Sequence, residues 1–551
     1  MMESPREIQS NSSLSPAATI PLNTRKPEEQ VTSIQYDMQD LNVTREEELY
    51  HVQSQLPPEI LLRIFELALT PIILDERNPR HYWSERSESC RNLYWHVRSL
   101  CAVSSYWRGV VHSLPRFWTT MIITIYNQTP VQNWIAMLQL YLKNSGCLPL
   151  SLELNLLPRF YHSALDGTSK PTPQHPSFGE DFFEFVGLLN KNAERFETLR
   201  LSFPDTWLIE DFPLKKFCNL KSLRLGCPLE PFVEFSGTSY PQPLDLSRTI
   251  SLQRLTLKNV ESSHYIQLVW SNVTALDLWS ISIPICIELL LACVNLIEYR
   301  CRAVPDEPRG AGLNLLGIDI ILNDLQVFEW PFLADWACVS VLQDLHTPSL
   351  RHLALGGPFR FSSITPTLNA FFARLPPSVH TLELVSFTSE PRLSYSTIFR
   401  SVPNIQRVVF TNCKTNVIED FMIYRSYLSD PFSRLQKLDI HGKYRGQMDI
   451  ASCLGIKPTG VEPEAALVPL GWTILKLLHY PEHEWPFGLH VHLSGVPMRY
   501  TRRCIEGYQK VVQNGVNFVI RDDHNPGIMR YVSDPNLQLD GNADSLHTFS
   551  N

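Results

Sequence analysis

A short apolar motif recurs along the middle of the chain, and it constrains the fold more than any other feature of the sequence. The motif is clearest at 349–355, where leucines occupy the first, fourth and sixth places of the pattern L-x-x-L-x-L. Its copies, named by their first apolar residue, begin at Phe196, Leu220, Leu252, Val273, Leu296, Leu325, Leu350, Val379, Ile405 and Leu435. Neighbouring copies begin between 21 residues apart (Leu252 to Val273) and 32 residues apart (Leu220 to Leu252). This period is typical of leucine-rich repeats.

A repeat of this length is too short to enclose a hydrophobic core by itself, so neighbouring copies must stack their apolar sides into one interior. Weaker copies at 118–123 and 149–154, with helical spacing over 131–142 between them, extend the array toward the amino terminus. We predict an α/β fold in which an amino-terminal helical domain is followed by a curved leucine-rich-repeat solenoid over residues 119–440. Its parallel strands are expected inside and its helices outside.

The charge balance and the cysteine pattern narrow the functional classes. The chain has 48 basic and 56 acidic residues, a net charge of -8 and a pI near 6.1. These values argue against a nucleic acid or an anionic membrane as the main partner. Twelve cysteines without a C-x-x-C pair predict reduced thiols. Because Met1–Pro5 do not begin a secretory signal, we expect a cytoplasmic or nuclear protein with no membrane anchor.

The two ends of the chain differ from the repeat array. Residues 1–44 are rich in Ser, Thr, Asn, Gln and Pro without hydrophobic periodicity, and we expect a disordered tail. After Ile440 the repeat pattern fades, although 489–493 and 516–520 each read as a strand. We expect residues 441–535 to cap the array, because an exposed solenoid end would leave apolar surface in water. Residues 536–551 are expected to form a second disordered tail.

Between the first tail and the array lies a segment with helical periodicity. It opens at Leu56–Phe65 with L-P-P-E-I-L-L-R-I-F, in which the prolines precede or open a helix. One stripe of this helix then carries Leu61, Ile64, Phe65 and Ala68. The spacing of apolar residues predicts a second amphipathic helix over 93–112.

The motifs of this segment resemble a known family. L-P-P-E-I-L-x-x-I-F at Leu56–Phe65, L-C-A-V-S-x-x-W-R at Leu100–Arg108 and L-P-x-x-W at Leu114–Trp118 look like the F-box. Together with the degenerate repeats, they resemble the F-box proteins that are abundant in mushroom-forming fungi. The resemblance assigns residues 45–118 to an F-box-like helical domain. It departs from the family at 70–92, an insert where a typical F-box has a short link.

The resemblance implies a partner for the helical domain. F-box domains dock on an Skp-type adaptor, which connects them to a cullin in a ubiquitin ligase. The positions of this chain that match the docking motifs are Leu56, Pro57, Pro58, Ile60, Leu61, Ile64, Phe65, Val103, Trp107 and Arg108. A domain of about sixty residues buries proportionately little surface by itself. Its apolar stripe therefore needs a cover, which is either the first repeat or another protein.

The strands of the array present a second candidate surface. Alternation sends the leucines of each strand inward and the residues between them to the concave face. Seven such positions in the first half of the array are our candidate client-binding residues, namely Arg200, Arg224, Arg254, Lys258, Trp279, Arg300 and Arg302. Their basic character suits an acidic or phosphorylated peptide. The alternative is that these side chains are merely solvated strand positions.

Candidate catalytic and metal-binding residues are few. His479 and His483 have metal-like spacing, but Pro481 interrupts a helix that would align them. Other possible ligands nearby are Glu482, Glu484, His490 and His492. No phosphate-binding glycine loop, G-x-S-x-G or H-E-x-x-H motif is present. We therefore predict no catalytic residue, no metal site and no cofactor.

The sequence favours a non-enzymatic adaptor over two alternatives. In this hypothesis the F-box-like domain joins an SCF-type (Skp-cullin-F-box) ubiquitin ligase, and the repeat array holds a protein client for ubiquitination. Catalysis then depends on proximity, since the chain only brings a client lysine near the loaded ubiquitin carrier. The first alternative is a leucine-rich-repeat scaffold without a ligase. The second is a metal hydrolase built on the carboxy-terminal histidines.

Overall fold

The computed structural model shows two compact units, divided after Ser113. The described residues are 56–68, 97, 99–126, 131–157, 180–202, 214–226, 244–259, 266–302, 319–331, 341–356, 365–386, 395–413, 417–418, 421, 434–442, 489–494 and 516–521. The predicted tails at 1–44 and 536–551 and the insert at 70–92 lie outside them. Leu114 and the residues after it belong to the second unit. The last of the three F-box-like motifs is therefore part of the repeat unit.

The helical unit contains α1 (Pro58–Ala68) and α2 (Ser105–His112). The prediction of one continuous helix over 93–112 is wrong, because Ser104 is extended at φ -158° and ψ 164° between helical residues on either side. The Ser104 hydroxyl oxygen accepts a hydrogen bond of 3.1 Å from the backbone N–H of Trp107. A serine in this position satisfies one of the unpaired N–H groups at a helix start. The side chain of Ser104 thus begins a new helix.

One sheet of 14 strands organises the repeat unit. Every strand pairs in parallel with its neighbours, and the order of strands in the sheet is their order along the chain. The strands are β1 (Thr120–Tyr126), β2 (Leu150–Leu157), β3 (Phe196–Ser202), β4 (Ser222–Gly226), β5 (Arg254–Lys258), β6 (Ala275–Trp279), β7 (Glu298–Arg302), β8 (Val327–Pro331), β9 (His352–Gly356), β10 (Thr381–Val385), β11 (Arg407–Thr411), β12 (Lys437–His441), β13 (His490–Ser494) and β14 (Asn517–Arg521). Such strict order is what stacking of successive repeats produces.

Helices lie in several connections between these strands, as parallel pairing requires a crossover. They are α3 (Val131–Asn144), α4 (Glu180–Lys191), α5 (Ile283–Ala292), α6 (Thr365–Ala373) and α7 (Tyr395–Arg400). A short 3₁₀ turn at Pro115–Trp118 precedes β1, and three connections contain further 3₁₀ turns at Ala193–Arg195, Leu214–Lys216 and Trp270–Asn272. Two further pairs of two-residue parallel strands join Leu244–Asp245 to Ile266–Gln267 and Ile320–Ile321 to Leu345–His346. None of the described helices is long and apolar enough to cross a membrane.

The ten residues that start the sequence repeats form the spine of the core. All ten side chains are at most 1% exposed. The apolar residues at the fourth and sixth places of each copy are also buried, such as Leu223 and Leu225 or Phe328 and Trp330, which leaves the alternate positions on the opposite, polar face of the sheet. The repeat pattern therefore predicted both the existence of the sheet and the face on which the core lies.

Asparagine side chains tie successive repeats together. Asn219, Asn272, Asn295 and Asn404 each come immediately before the first apolar residue of a copy. Their side-chain amides donate to backbone carbonyls of the preceding copy, at 2.7 Å (Glu194 O), 3.1 Å (Ile250 O), 2.8 Å (Ser271 O) and 3.1 Å (Pro377 O). These bonds satisfy backbone groups that the irregular connections leave outside the sheet.

The sheet continues beyond the boundary that the sequence pattern gave at residue 440. Strands β13 and β14 lie in the predicted capping region, yet β13 pairs with β12 in full parallel register and β14 pairs with β13. Each has the apolar alternation that identifies a strand, but the long spacing from Leu435 hides them from a search for a short period. Strand β13 consequently extends the polar face as well as the core.

Candidate functional site

The helical unit is held together by the inner stripe of α1. Leu61 is 1% exposed and Phe65 is fully buried. The Phe65 ring meets the Trp107 indole of α2 edge to face, with centroids 4.9 Å apart. The Tyr106 hydroxyl donates a 2.9 Å hydrogen bond to the carbonyl of Leu56, which fixes the start of α1. Leu61, Phe65 and Trp107 therefore serve the fold, although the F-box resemblance assigned them to docking.

A second apolar stripe of α1 remains in contact with water. Ile60 is 50% exposed, Ile64 is 43% exposed and Leu67 is 71% exposed. These residues recur at the i, i+4 and i+7 spacing that places side chains on one helix face. The prediction that put Ile64 on the same stripe as Leu61 is therefore wrong. The structure divides the apolar residues of α1 between an internal face and an external face.

Other residues of the docking motif are also accessible. Pro57 and Pro58 at the start of α1 are exposed, and Val103 is 41% exposed. Arg108 is exposed and donates from Nε to the carbonyl of Cys101 at 2.9 Å. Large apolar side chains clustered on a small helical unit mark an interaction surface more often than scattered ones do. We name Ile60, Ile64 and Leu67 the outer stripe.

The polar face of the sheet is aligned by its strand register. One residue per strand forms a row across the sheet, which we call the central row. From β2 to β13 it consists of Glu153, Arg200, Arg224, Thr256, Asp277, Arg300, Glu329, Ala354, Glu383, Val409, Asp439 and His492. Charged side chains of opposite sign are neighbours in two parts of this row, at Glu153–Arg200 and at Asp277–Arg300–Glu329, where each lies within reach of the next.

The arginines predicted to capture an acidic client are paired with carboxylates. In the middle of the sheet, Arg302 lies 3.0 Å from Glu329 and 3.9 Å from Asp277. Arg300 lies 3.7 Å from Glu298 and 4.0 Å from Glu329. Two further pairs among the candidates join Arg254 to Glu298 (3.8 Å) and Arg200 to Glu153 (3.5 Å). This part of the polar face is thus a mixed-charge network and not a basic strip.

The structure limits the accessibility or the mobility of two of the seven candidate client-binding residues, Arg200 and Trp279. Arg200 is 2% exposed, so its guanidinium is covered and cannot reach a client. The Trp279 ring lies beneath the guanidinium of Arg302, 4.8 Å from the centroid to Cζ, which restrains both side chains. Arg224, Arg254, Lys258, Arg300 and Arg302 are partly exposed. The candidate residues therefore form a surface of partly covered charges, in which Arg254, Arg300 and Arg302 are paired with carboxylates and the Trp279 ring lies among them.

Burial affects the acids of this network. Burial raises the pKa of Asp277, although the charges of Arg302, Arg300 and Arg224 act in the opposite direction. Burial also raises the pKa of Glu329, again against the charge of Arg302. For both carboxyls the cost of desolvation exceeds the stabilisation by the neighbouring arginines, so the net shift of the pKa is upward.

Burial also lowers the pKa of His352 to about 4, with Glu383 opposing the shift and nearby arginines adding to it. An unfolded histidine has a pKa of about 6.5, so the unfolded chain binds the extra proton between about pH 6.5 and pH 4. Stability should fall as the pH decreases through this window. His352→Gln is expected to reduce that loss by about 1–2 kcal/mol at pH 5 in urea unfolding. An equal effect of His490→Gln, at an exposed position, would contradict the assignment.

At the carboxy-terminal end of the sheet, a buried carboxylate joins three strands. Asp439 of β12 is 1% exposed, and its Oδ2 accepts bonds from Nε and Nη2 of Arg407 on β11, both at 2.7 Å. Its Oδ1 lies 3.3 Å from Nζ of Lys437 and 3.4 Å from Nδ1 of His492 on β13. Burial alone would raise the pKa of Asp439, but His492, Arg407 and Lys437 hold it below its usual value.

Two histidines complete this cluster. The rings of His441 and His492 meet edge to face with centroids 5.7 Å apart, and His441 Nδ1 lies 2.5 Å from Ser494 Oγ. A carboxylate oxygen of Asp439 and one ring nitrogen from each histidine lie within 4.8 Å of one another. Of the histidines that the sequence suggested as metal ligands, His492 belongs to this group and His490 is exposed outside it. Residues 479–484 lie outside the described part of the chain.

Comparison with known proteins does not assign this chain to a family. No family model matches the chain, and no curated protein matches it. Among solved structures, a leucine-rich-repeat protein of Leptospira interrogans is 13% identical, with 61% of this chain and 79% of that chain covered and a TM-score of 0.23. A likeness at that TM-score carries no argument about function. The α/β repeat architecture stands on the strand order and burial described above.

Proposed function

We propose that the chain is the substrate-recognition subunit of an SCF-type ubiquitin ligase. The outer stripe carries this proposal, because it leaves the apolar side chains of Ile60, Ile64 and Leu67 in water on a helix whose other face is already packed. Such a face loses its contact with water when a partner covers it, at roughly 25 cal/mol per Å² of apolar surface. The partner implied by the F-box-like motifs is an Skp-type adaptor, and through it a cullin.

The repeat unit is the client-binding part in this proposal. Its polar face offers a broad row of side chains fixed by strand register, with Trp279 and the partly exposed arginines at its centre. Because these arginines are neutralised by Asp277, Glu298 and Glu329, a mixed-charge or aromatic-bearing peptide segment fits the face better than a purely acidic one. No side chain needs to react, since the ligase gains its rate from holding the client lysine near the ubiquitin carrier.

Affinity purification of the full chain from cell extract tests both parts in one experiment. We expect mass spectrometry to identify an Skp-type adaptor and a cullin, together with a client protein. The Leu56→Ala and Pro57→Ala double variant should lose the adaptor while it keeps the client. A client recovered without any adaptor by the unaltered chain would favour a repeat scaffold that has no ligase.

A further inference from the structure

We propose that Asp439, His441 and His492 form a binding site for a single divalent transition-metal ion such as Zn²⁺. The site lies on β12 and β13 at the carboxy-terminal end of the central row, and it uses none of the residues of the outer stripe and none of the seven candidate client-binding residues. One carboxylate and two imidazoles are a donor set that suits Zn²⁺, with a fourth position left for water or another ligand.

The distances fit this assignment. Zinc takes histidine nitrogen and carboxylate oxygen at about 2.0–2.2 Å, so two ligand atoms on one tetrahedral ion are about 3.4 Å apart. Asp439 Oδ1 and His492 Nδ1 are 3.4 Å apart. The third donor, from His441, lies within 4.8 Å of both, which a rotation of one imidazole can shorten. The backbone already holds all three side chains on one face of paired strands.

Asp439 Oδ1 provides an independent indication of a ligand. The Asp439 side chain is only 1% exposed, and among the described residues Lys437 and His492 stand at ion-pair distance from its Oδ1 without the alignment of a normal hydrogen bond. A buried carboxylate oxygen is costly to leave without a well-aligned hydrogen bond or ligand. The ion would occupy the space between Oδ1 and the histidines and would remove this deficit.

The surrounding groups resemble the outer shell of a metal site. Ligating carboxylates are usually hydrogen-bonded through their other oxygen, and Arg407 binds Oδ2 at 2.7 Å. Ligating histidines usually give their second ring N–H to a fixed acceptor, and Ser494 Oγ stands 2.5 Å from His441 Nδ1. Arg407 and Ser494 therefore orient two of the three ligands.

The positive charge of Lys437 should weaken metal binding at this site, and removing that charge provides a test. Its ammonium lies 3.3 Å from Oδ1 and would repel a divalent cation. The Lys437 side chain is 43% exposed, so its flexible stem can move the charge into water when the ion binds. Replacing it with methionine should consequently tighten metal binding several-fold. A role limited to ion pairing with Asp439 gives no reason for such a gain.

The direct experiment is a titration of the full chain, stripped of metal with a chelator, with Zn²⁺ by calorimetry and with Co²⁺ by visible absorption. We expect one equivalent that the His441→Asn and His492→Asn double variant loses and that the His490→Asn control keeps. Zn²⁺ should also raise the unfolding temperature of the unaltered chain and leave that of the double variant unchanged, because the ion links two strands.

The proposal is tested by the difference in bound metal between the unaltered chain and the His441→Asn and His492→Asn double variant. Metal bound elsewhere on the chain, for example at His479 and His483, would survive in the double variant and leave the difference unaffected. Equal stoichiometry in the unaltered chain and the double variant would overturn the proposal. So would the absence of a Co²⁺ band from a chain whose circular dichroism shows it to be folded. A far-ultraviolet spectrum of the double variant guards against loss of binding through misfolding.

Discussion

The Ile60→Asp and Ile64→Asp double variant is expected to lose binding to an Skp-type adaptor while it keeps its fold. Both side chains are about half exposed, so a carboxylate at either position is solvated in the free protein. At an apolar interface the same carboxylates would be desolvated without a partner, at a cost of roughly 3 kcal/mol or more in total. That cost corresponds to a loss of about 100-fold or more in affinity.

A matched control separates docking from a general effect of added charge. Leu140 is 38% exposed and Leu148 is 36% exposed, and both belong to the repeat unit. The Leu140→Asp and Leu148→Asp double variant introduces the same charge at comparable apolar positions, and it should bind the adaptor normally. If both double variants bound equally well, the outer stripe would not be the docking surface. Circular dichroism of each variant verifies that the helices persist.

Trp330→Ala is expected to produce the largest loss of stability, about 3–5 kcal/mol. Trp330 is 1% exposed and forms an aromatic cluster with Phe328 and Tyr299, whose ring centroids lie 5.9 Å and 6.1 Å from it. The Tyr299 hydroxyl is also buried and donates to the carbonyl of Cys286 at 2.9 Å, so the cluster cannot easily collapse into the cavity. Removing the indole should therefore leave a void between β7 and β8.

Urea unfolding followed by circular dichroism measures this effect, because a shift in midpoint at constant slope reports a change in stability. Ile321→Ala is a suitable control, since Ile321 is an apolar residue close in sequence that is 58% exposed. Its truncation should change stability by less than about 0.5 kcal/mol. Similar midpoints for the two variants would contradict the packing described for this part of the sheet.

The repeat motif was sufficient to predict the sheet, because its apolar positions are the ones that must be buried in the core. Each first apolar residue, such as Leu296 or Leu350, must lie in the core for the copies to stack, and each does. The sequence signal weakened where spacing became long, as for His490–Ser494. Strand alternation remained visible there, but nothing local indicated that the strand would pair with β12.

Ion pairing across the sheet was harder to foresee. Arg300 and Glu329 are 29 residues apart in sequence, yet each lies four residues after the start of its copy, at Leu296 and Leu325. Aligning the copies on those residues places the two side chains side by side on neighbouring strands, and the strand register agrees. Comparing the numbers of basic and acidic residues on the polar face of the first strands, without pairing them by register, instead gave a basic strip. Charge on a repeat surface depends on strand register, because neighbouring strands bring distant residues together.

The division of α1 into two stripes follows the same logic. Ile64 comes three positions after Leu61 and directly before Phe65. Helical spacing therefore allows all three side chains to be placed on one broad apolar face. The position of Trp107 on α2 decides which of them is buried. Helical spacing alone contains no information about the side on which the second helix packs. Similarly, the break at Ser104 depends on a hydroxyl that caps α2, a role serine takes at many helix starts.

A binding titration between the purified full chain and a purified Skp-type adaptor tests the central claim most directly. We predict a one-to-one complex with a Kd of about 1 μM or tighter, which the exchange of Ile60 and Ile64 for aspartate weakens by about 100-fold. No detectable complex between the folded, unaltered chain and the adaptor at concentrations of about 100 μM would contradict it.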